Sequence, residues 1–175
     1  VYSYFEANHT AYYVTEYIDG QSLGALAQAH HRCASRITQD ELYGLMVRVL
    51  DALHYLHSRQ ILHLDIKPDN ILLTCAGRPV LIDFGGAHEN FGDSGAGVVE
   101  TPGYSPPEQG MDGGEKLGPW SDIYAFGATL CYLLTGSSPA PGGQRLLYDN
   151  HEPLASRPAL TKDYHVDLLA GIDRA

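Results

Sequence analysis

Hydrophobic positions change their spacing several times along this 175-residue chain. Residues 1–18, VYSYFEANHTAYYVTEYI, are rich in aromatic and β-branched residues around a polar break at ANH, which predicts a β-hairpin. After DGQS the spacing becomes helical. Between Ile37 and Arg59, Leu42, Leu45, Met46, Val49, Leu53 and Leu56 recur on one face at a 3.6-residue period. Thr38 and Glu41 supply a capping box where that helix should start. Two short apolar runs, ILL at 71–73 and VLI at 80–82, flank the turn-like TCAGRP and read as strands. DIYAFGATLCYLLTG at 122–136 is apolar almost throughout and stops at Gly136, which predicts a helix buried on most sides. SSPAPGG then reads as a loop, and the remainder turns helical toward Ala175. Strands, helices, a polar centre on short strands and further helices predict an α+β fold in which helices dominate.

Composition narrows the function classes. With 44% hydrophobic residues the chain can build one globular core. Twenty-one acidic against eleven basic residues give a net charge of −10, which repels phosphate backbones and anionic lipid. Neither nucleic acid nor a membrane is an expected partner. No apolar run approaches the ~18 residues of a bilayer span, and no leader-like segment opens the chain. Cys33, Cys75 and Cys131 are odd in number and widely spaced, so they read as thiols in a reducing cytoplasm and not as a disulfide framework. The pattern opens inside strand-like alternation and closes inside the helix-like LLAGIDRA, so a longer parent is expected.

The polar centre carries the chemistry. HLDIKPDN at 63–70 gathers a histidine, two aspartates, a lysine and an asparagine, and Asp83 follows the second short strand run with Phe84-Gly85-Gly86 behind it. Adjacent strand ends can bring Asp65, Asn70 and Asp83 together as oxygen ligands. Such a set suits Mg²⁺, which takes a few carboxylates and completes its shell with phosphate and water. The stretch 84–108 contains six glycines and little periodicity, and so long an irregular segment in a compact domain points to function. His30, His31 and Cys33 are close in sequence, but zinc takes four ligands and no second spaced pair exists nearby.

Taken in order, HLDIKPDN, DFG at 83–85, TPGYSPPE at 101–108 and DIYAFG at 122–127 resemble the catalytic loop, metal-binding triplet, substrate-docking segment and buried helix of eukaryotic-like protein kinases. VTEYIDG resembles the hinge between their two lobes. Residues 1–18 would then be a remnant of the small lobe with the start of the hinge, and 19–175 an incomplete large lobe. The resemblance implies a serine/threonine kinase that moves the γ-phosphate of ATP onto a protein hydroxyl, because Lys67 stands two residues after Asp65. Asp65 would accept the hydroxyl proton and Lys67 would steady the phosphate, while Asn70 and Asp83 would hold Mg²⁺. Thr101 would tie the docking segment to Asp65 and Lys67, or else is a plain turn threonine before Pro102. Thr15 takes the gatekeeper position. By the same resemblance Glu16, Tyr17 and Ile18 would form the adenine-binding hinge, and Leu72 would be either the pocket floor or ordinary core. His63 and Asp122 would be structural.

The resemblance has gaps. The family's glycine-rich lid, strand lysine and paired helix glutamate belong before Val1, and the arginine that pairs with the Glu108 position belongs after Ala175. The isolated 175-residue chain is therefore expected to be inactive and to self-associate through small-lobe surface. An active kinase leads the readings. A pseudokinase, or a binding module lacking lid and lysine, stands second, and a small-molecule kinase third. TPGYSPPE argues against the third because it resembles a dock for protein. Leu64 stands where kinases switched by loop phosphorylation carry arginine, and no Lys or Arg occurs from Gly86 to Ser105. A loop ordered without phosphorylation is expected, with Leu64 packed beneath it; Ser94, Thr101, Tyr104 and Ser105 are its candidate hydroxyls, and Thr101 is set aside from the test for its structural role.

Overall fold

The computed structural model describes residues 2–89, 100–110 and 116–175. The amino-terminal alternation forms the expected hairpin, β1 (Ser3–Ala7) antiparallel to β2 (Thr10–Val14). Its two-residue turn places Asn8 and His9 at φ of 52° and 57°, the left-handed backbone that a tight hairpin needs at both central positions. Every residue of both strands is exposed. What holds the ribbon together is cross-strand pairing: Phe5 stacks on Tyr12 at 5.1 Å between ring centroids, and Tyr4 faces Tyr13 at 6.4 Å.

After the irregular stretch 15–19, β3 (Gly20–Ser22) runs straight into α1 (Leu23–Arg32). Ser22 caps that helix, its hydroxyl accepting from the Ala25 amide at 3.1 Å. The second helix, α2 (Gln39–His57), starts on the predicted capping box. Glu41 N–H donates to Thr38 Oγ1 at 3.3 Å, and Thr38 N–H donates to Glu41 Oε2 at 2.9 Å. The Thr38 hydroxyl and amide together hold the Glu41 carboxyl below its ordinary range. From the predicted stripe Leu42, Leu45, Val49 and Leu53 are buried, with Met46 and Leu56 packed at its margin.

Four short strands follow: β4 (Ile61–Leu62), β5 (Ile71–Thr74), β6 (Pro79–Leu81) and β7 (His88–Glu89). The strands β3, β5 and β6 make one antiparallel sheet, with Leu72 opposite both Ser22 and Val80. Separately, β4 pairs antiparallel with β7. This register has a functional consequence. Asn70 lies just before β5 and Asp83 just after β6, so both emerge from the same end of an antiparallel pair.

The helix α3 (Pro119–Thr135) runs through the core and ends, as expected, at Gly136 with φ of +79°. It begins three residues before Asp122 because Pro119 fits the first helical position, where its missing N–H costs nothing. Three short helices complete the chain: α4 (Gly142–Leu147), α5 (Pro158–Thr161) and α6 (Val166–Asp173). The first of them corrects the loop expected at 137–143, since it starts at Gly142 directly after Pro141. Two glycines in six residues leave no periodicity to read.

The main core joins Leu23 of α1, the α2 stripe, Phe126 and Leu130 of α3, and Leu169 and Ile172 of α6. A smaller cluster, Leu62, Leu64 and Leu117, lies under the polar centre. Among the described residues no helix is long and apolar enough to cross a membrane.

Candidate active site

Residues 63–67 leave β4 without regular structure, and a carboxylate from α3 supports them from below. Asp122 has no solvent exposure. Its Oδ2 accepts from the His63 amide at 3.0 Å and its Oδ1 from the Leu64 amide at 2.8 Å. His57, on the last turn of α2, places Nε2 2.8 Å from the same Oδ2. Leu64 is held at φ of +59°, a left-handed conformation that is strained for a branched side chain. Its side chain is 2% exposed against Leu62 and Leu117.

His63 is buried between this brace and the segment behind Asp83. Its Nε2 lies 3.1 Å from the Ile82 carbonyl, which can only accept, so Nε2 carries the hydrogen. Nδ1 is then the acceptor facing the Asp65 amide at 3.4 Å. Phe84 covers the ring at 4.8 Å between centroids. Burial pushes the imidazole below its ordinary pKa, outweighing the opposing pull of Asp122. A neutral ring with one donor and one acceptor matches both contacts.

Four hydrogen bonds converge on the Asp65 carboxylate. Lys67 Nζ donates to Oδ1 at 2.9 Å and Oδ2 at 2.8 Å, Asn70 Nδ2 to Oδ2 at 2.7 Å, and Thr101 Oγ1 to Oδ1 at 2.8 Å. Asn70 Nδ2 also reaches the Asp65 carbonyl at 2.9 Å. Both amide contacts are to acceptors, which fixes the orientation of the group and turns Oδ1 away from Asp65. The Ile82 amide donates to the Asn70 carbonyl at 3.0 Å, so Asp83 follows a residue tied to Asn70. Asp83 is left-handed at φ of +62°, and its carboxylate accepts from the Gly85 amide at 3.2 Å. Asn70 Oδ1 and the Asp83 carboxylate are hard oxygens suited to Mg²⁺. Among the described residues no group of three or more His, Cys, Asp or Glu side chains is arranged to hold a metal. A cation held by Asn70 Oδ1 and the Asp83 carboxylate would leave room for phosphate and water in its shell, as suits Mg²⁺.

The segment 100–110 closes over Asp65. Its turn is held by Ser105 N–H donating to the Thr101 carbonyl at 2.9 Å and Thr101 N–H to Ser105 Oγ at 2.9 Å. Gly103 sits at φ of +85°, where an added Cβ would stand 2.9 Å from the Pro139 carbonyl, so only glycine fits. Burial pushes the Tyr104 hydroxyl up to about 12, and its ring meets Tyr132 edge-on. Two further bonds fix the far end. Ser121 Oγ donates to Glu108 Oε1 at 2.9 Å, and Gln109 Nε2 donates to the Leu64 carbonyl at 2.8 Å.

Asp65, Lys67, Asn70 and Thr101 thus form one hydrogen-bonded group, with Asp83 at its edge. Thr101 reaches Lys67 only through the shared Asp65 carboxylate. Thr15, Glu16, Tyr17 and Ile18 are not drawn in. They occupy the irregular stretch between β2 and β3, where Tyr17 is 87% exposed. Leu72 is half-buried in the β3–β5–β6 sheet. Leu64 packs on Leu62 and Leu117, and Ser94 lies outside the described residues. The sequence reading missed His57, Gln109 and Ser121. Their partners are 65, 45 and 13 residues away, so the only local hint was Ser121 standing beside Asp122.

A family model described as the protein kinase domain matches residues 1–165. The chain is similar to serine/threonine-protein kinase PknA of Nostoc sp., 38% identical over 148 residues that are 79% of this chain and 25% of that protein. It is also similar to serine/threonine-protein kinase C of Synechocystis sp., 36% identical over 79% of this chain and 26% of that protein. The MAP kinase kinase MKK1/SSP32 of Saccharomyces cerevisiae is 32% identical over 77% of this chain and 26% of its own length. The chain spans about a quarter of the length of these curated relatives.

The His63 geometry predicts an acid-sensitive fold. Because its pKa is lowered on folding, the unfolded chain takes up a proton near pH 6.5 that the buried ring refuses. The stabilisation is present above that pH and is lost as pH falls. His63→Gln, which keeps a donor and does not titrate, should flatten the loss between pH 6.5 and 5 by up to about 1.4 kcal/mol per pH unit. Denaturant unfolding of both proteins across that range measures it, and equal slopes would contradict the reading.

Proposed function

The chain belongs to the protein kinase domain family, and on that premise we propose that the intact protein transfers the γ-phosphate of MgATP to serine or threonine hydroxyls of other proteins. The observation that carries the reading is the Asp65 carboxylate with Lys67, Asn70 and Thr101 converging on it. Asp65 accepts the proton of the attacking hydroxyl and aims its oxygen at the phosphorus. Thr101 holds the carboxylate in that direction from the docking segment. Lys67 exchanges its contact with Asp65 for the transferring phosphate, where its charge offsets the charge that develops. Asn70 Oδ1 and Asp83 hold the cation, which when bound neutralises the nucleotide phosphates. Thr15, Glu16, Tyr17 and Ile18 line the adenine side as hinge, with Leu72 as its floor. Positioning and electrostatics carry such a reaction, so these residues need no covalent role.

Residues 1–18 read as the small-lobe portion and 19–175 as the large-lobe portion. Tyr2, Tyr4, Phe5, Tyr13 and Tyr17 of the first portion are exposed and support self-association of the isolated chain. Exposed Cys33 and Cys75 thiols favour a reducing, cytoplasmic setting.

Asp65→Asn in the intact protein should lower turnover by two or more orders of magnitude, roughly 10²-fold at least, with ATP affinity nearly unchanged. Phosphate incorporation into a generic Ser/Thr protein and nucleotide titration read the two quantities. Equal turnover would remove Asp65 from its role.

Leu64 generates the second prediction. It offers neither charge nor donor, is 2% exposed between Leu62 and Leu117, and no Lys or Arg occurs from Gly86 to Ser105. A phosphate on that segment would find no cation there. Phosphatase treatment, verified by mass spectrometry, should leave activity intact, as should Ser94→Ala. Loss of most activity on dephosphorylation, restored by rephosphorylation, would overturn this reading of Leu64.

A further inference from the structure

Asp65 is preceded by a strained residue whose peptide is tethered on both sides. The Leu64 amide donates to Asp122 Oδ1 at 2.8 Å, and the Leu64 carbonyl accepts from Gln109 Nε2 at 2.8 Å. The first tether comes from α3 and the second from the docking segment. Gln109 is 7% exposed, at the end of a 3₁₀ turn formed by residues 107–109. Leucine at φ of +59° does not keep that conformation unaided, since the left-handed region is strained for a non-glycine residue. The direction of the Leu64 carbonyl sets the plane of the peptide from which Asp65 extends. Thr101, from the same segment, holds the Asp65 carboxylate at 2.8 Å. The docking segment therefore grips Asp65 at its side chain through Thr101 and at the preceding backbone through Gln109.

We infer that Gln109 is a positioning residue for Asp65: its side-chain amide pins the strained Leu64 peptide and couples the docking segment to the attacking-hydroxyl site. The inference rests on the kinase reading for its effect on turnover, though not for the tether itself. Met and Glu match the Gln side chain in size. Gln109→Met removes the donor and Gln109→Glu replaces it with an acceptor facing a carbonyl, so neither can make the bond.

The test uses the intact protein and two readouts. Hydrogen exchange of the peptide covering residues 62–70 should speed up in both variants, while exchange across α2 stays unchanged. Turnover should fall roughly ten- to a hundredfold with KM for ATP and for protein substrate nearly unchanged, as a misaimed group rather than a lost contact would produce. Gln109→Asn, shorter but still a donor, should recover part of the loss. Faster exchange in a protein whose wild type lacks phosphoryl transfer would keep the tether and reject the kinase reading. Unchanged exchange at 62–70 would overturn the proposal, whatever the activity. So would a raised KM for protein substrate with unchanged turnover, which would make Gln109 a docking residue. Should Gln109→Met unfold, the same measurements on Gln109→Glu decide. Unfolding of both variants with Gln109→Asn fully stable and fully active would also overturn it, because the donor would then serve folding alone.

Discussion

Asp122 carries its carboxylate into the interior with no solvent exposure, and there it meets the amides of His63 and Leu64 and the Nε2 of His57. A carboxylate buried without partners would cost several kcal/mol, so this one must be surrounded by donors for α3 to occupy the core. The donors come from the end of α2 and the first residues after β4. One charge therefore ties the most buried helix to the loop that carries Asp65. Leu64 is forced left-handed by that requirement, because both successive amides have to point down at the same carboxylate. The rest of the site takes its positions from this brace.

Two further constraints complete the geometry. Antiparallel pairing of β5 with β6 brings Asn70 and Asp83 to one end of the sheet, and the Ile82–Asn70 backbone bond fixes their spacing. The 100–110 segment closes the other side through Thr101, Glu108 and Gln109, each bonded to a different part of the frame. Glu108 is held by the Ser121 hydroxyl, which donates to it at the start of α3. His63 stays neutral between the brace and Phe84, so it supplies shape and one hydrogen bond in each direction without adding a charge beside Asp65.

What could be read from the sequence was what local chemistry dictates. The Thr38–Glu41 box, the α2 stripe, the Asn8–His9 turn and the Gly136 stop each depend on residues within a few positions of one another. The meeting of Asp65, Lys67, Asn70 and Thr101 could be anticipated because the order of short polar motifs is specific even where each alone is weak. Residues 61–62 were too short to signal a strand, and β4 exists only because β7 pairs with it. His57 and Gln109 were hidden for the same reason, since each acts on a partner at least 45 residues away. Nothing in a leucine announces φ of +59°; the surrounding bonds impose it.

The measurement that bears most directly on this account is residue-resolved amide exchange in Asp122→Asn. The substitution keeps the volume but leaves one acceptor oxygen, and its new N–H₂ must face a backbone donor. The His63 or Leu64 amide should then exchange at least about tenfold faster, consistent with loss of a hydrogen bond to a charged group, while α2 remains protected. Unchanged exchange at both amides would show that the loop carrying Asp65 holds its shape without the buried carboxylate and would contradict the account.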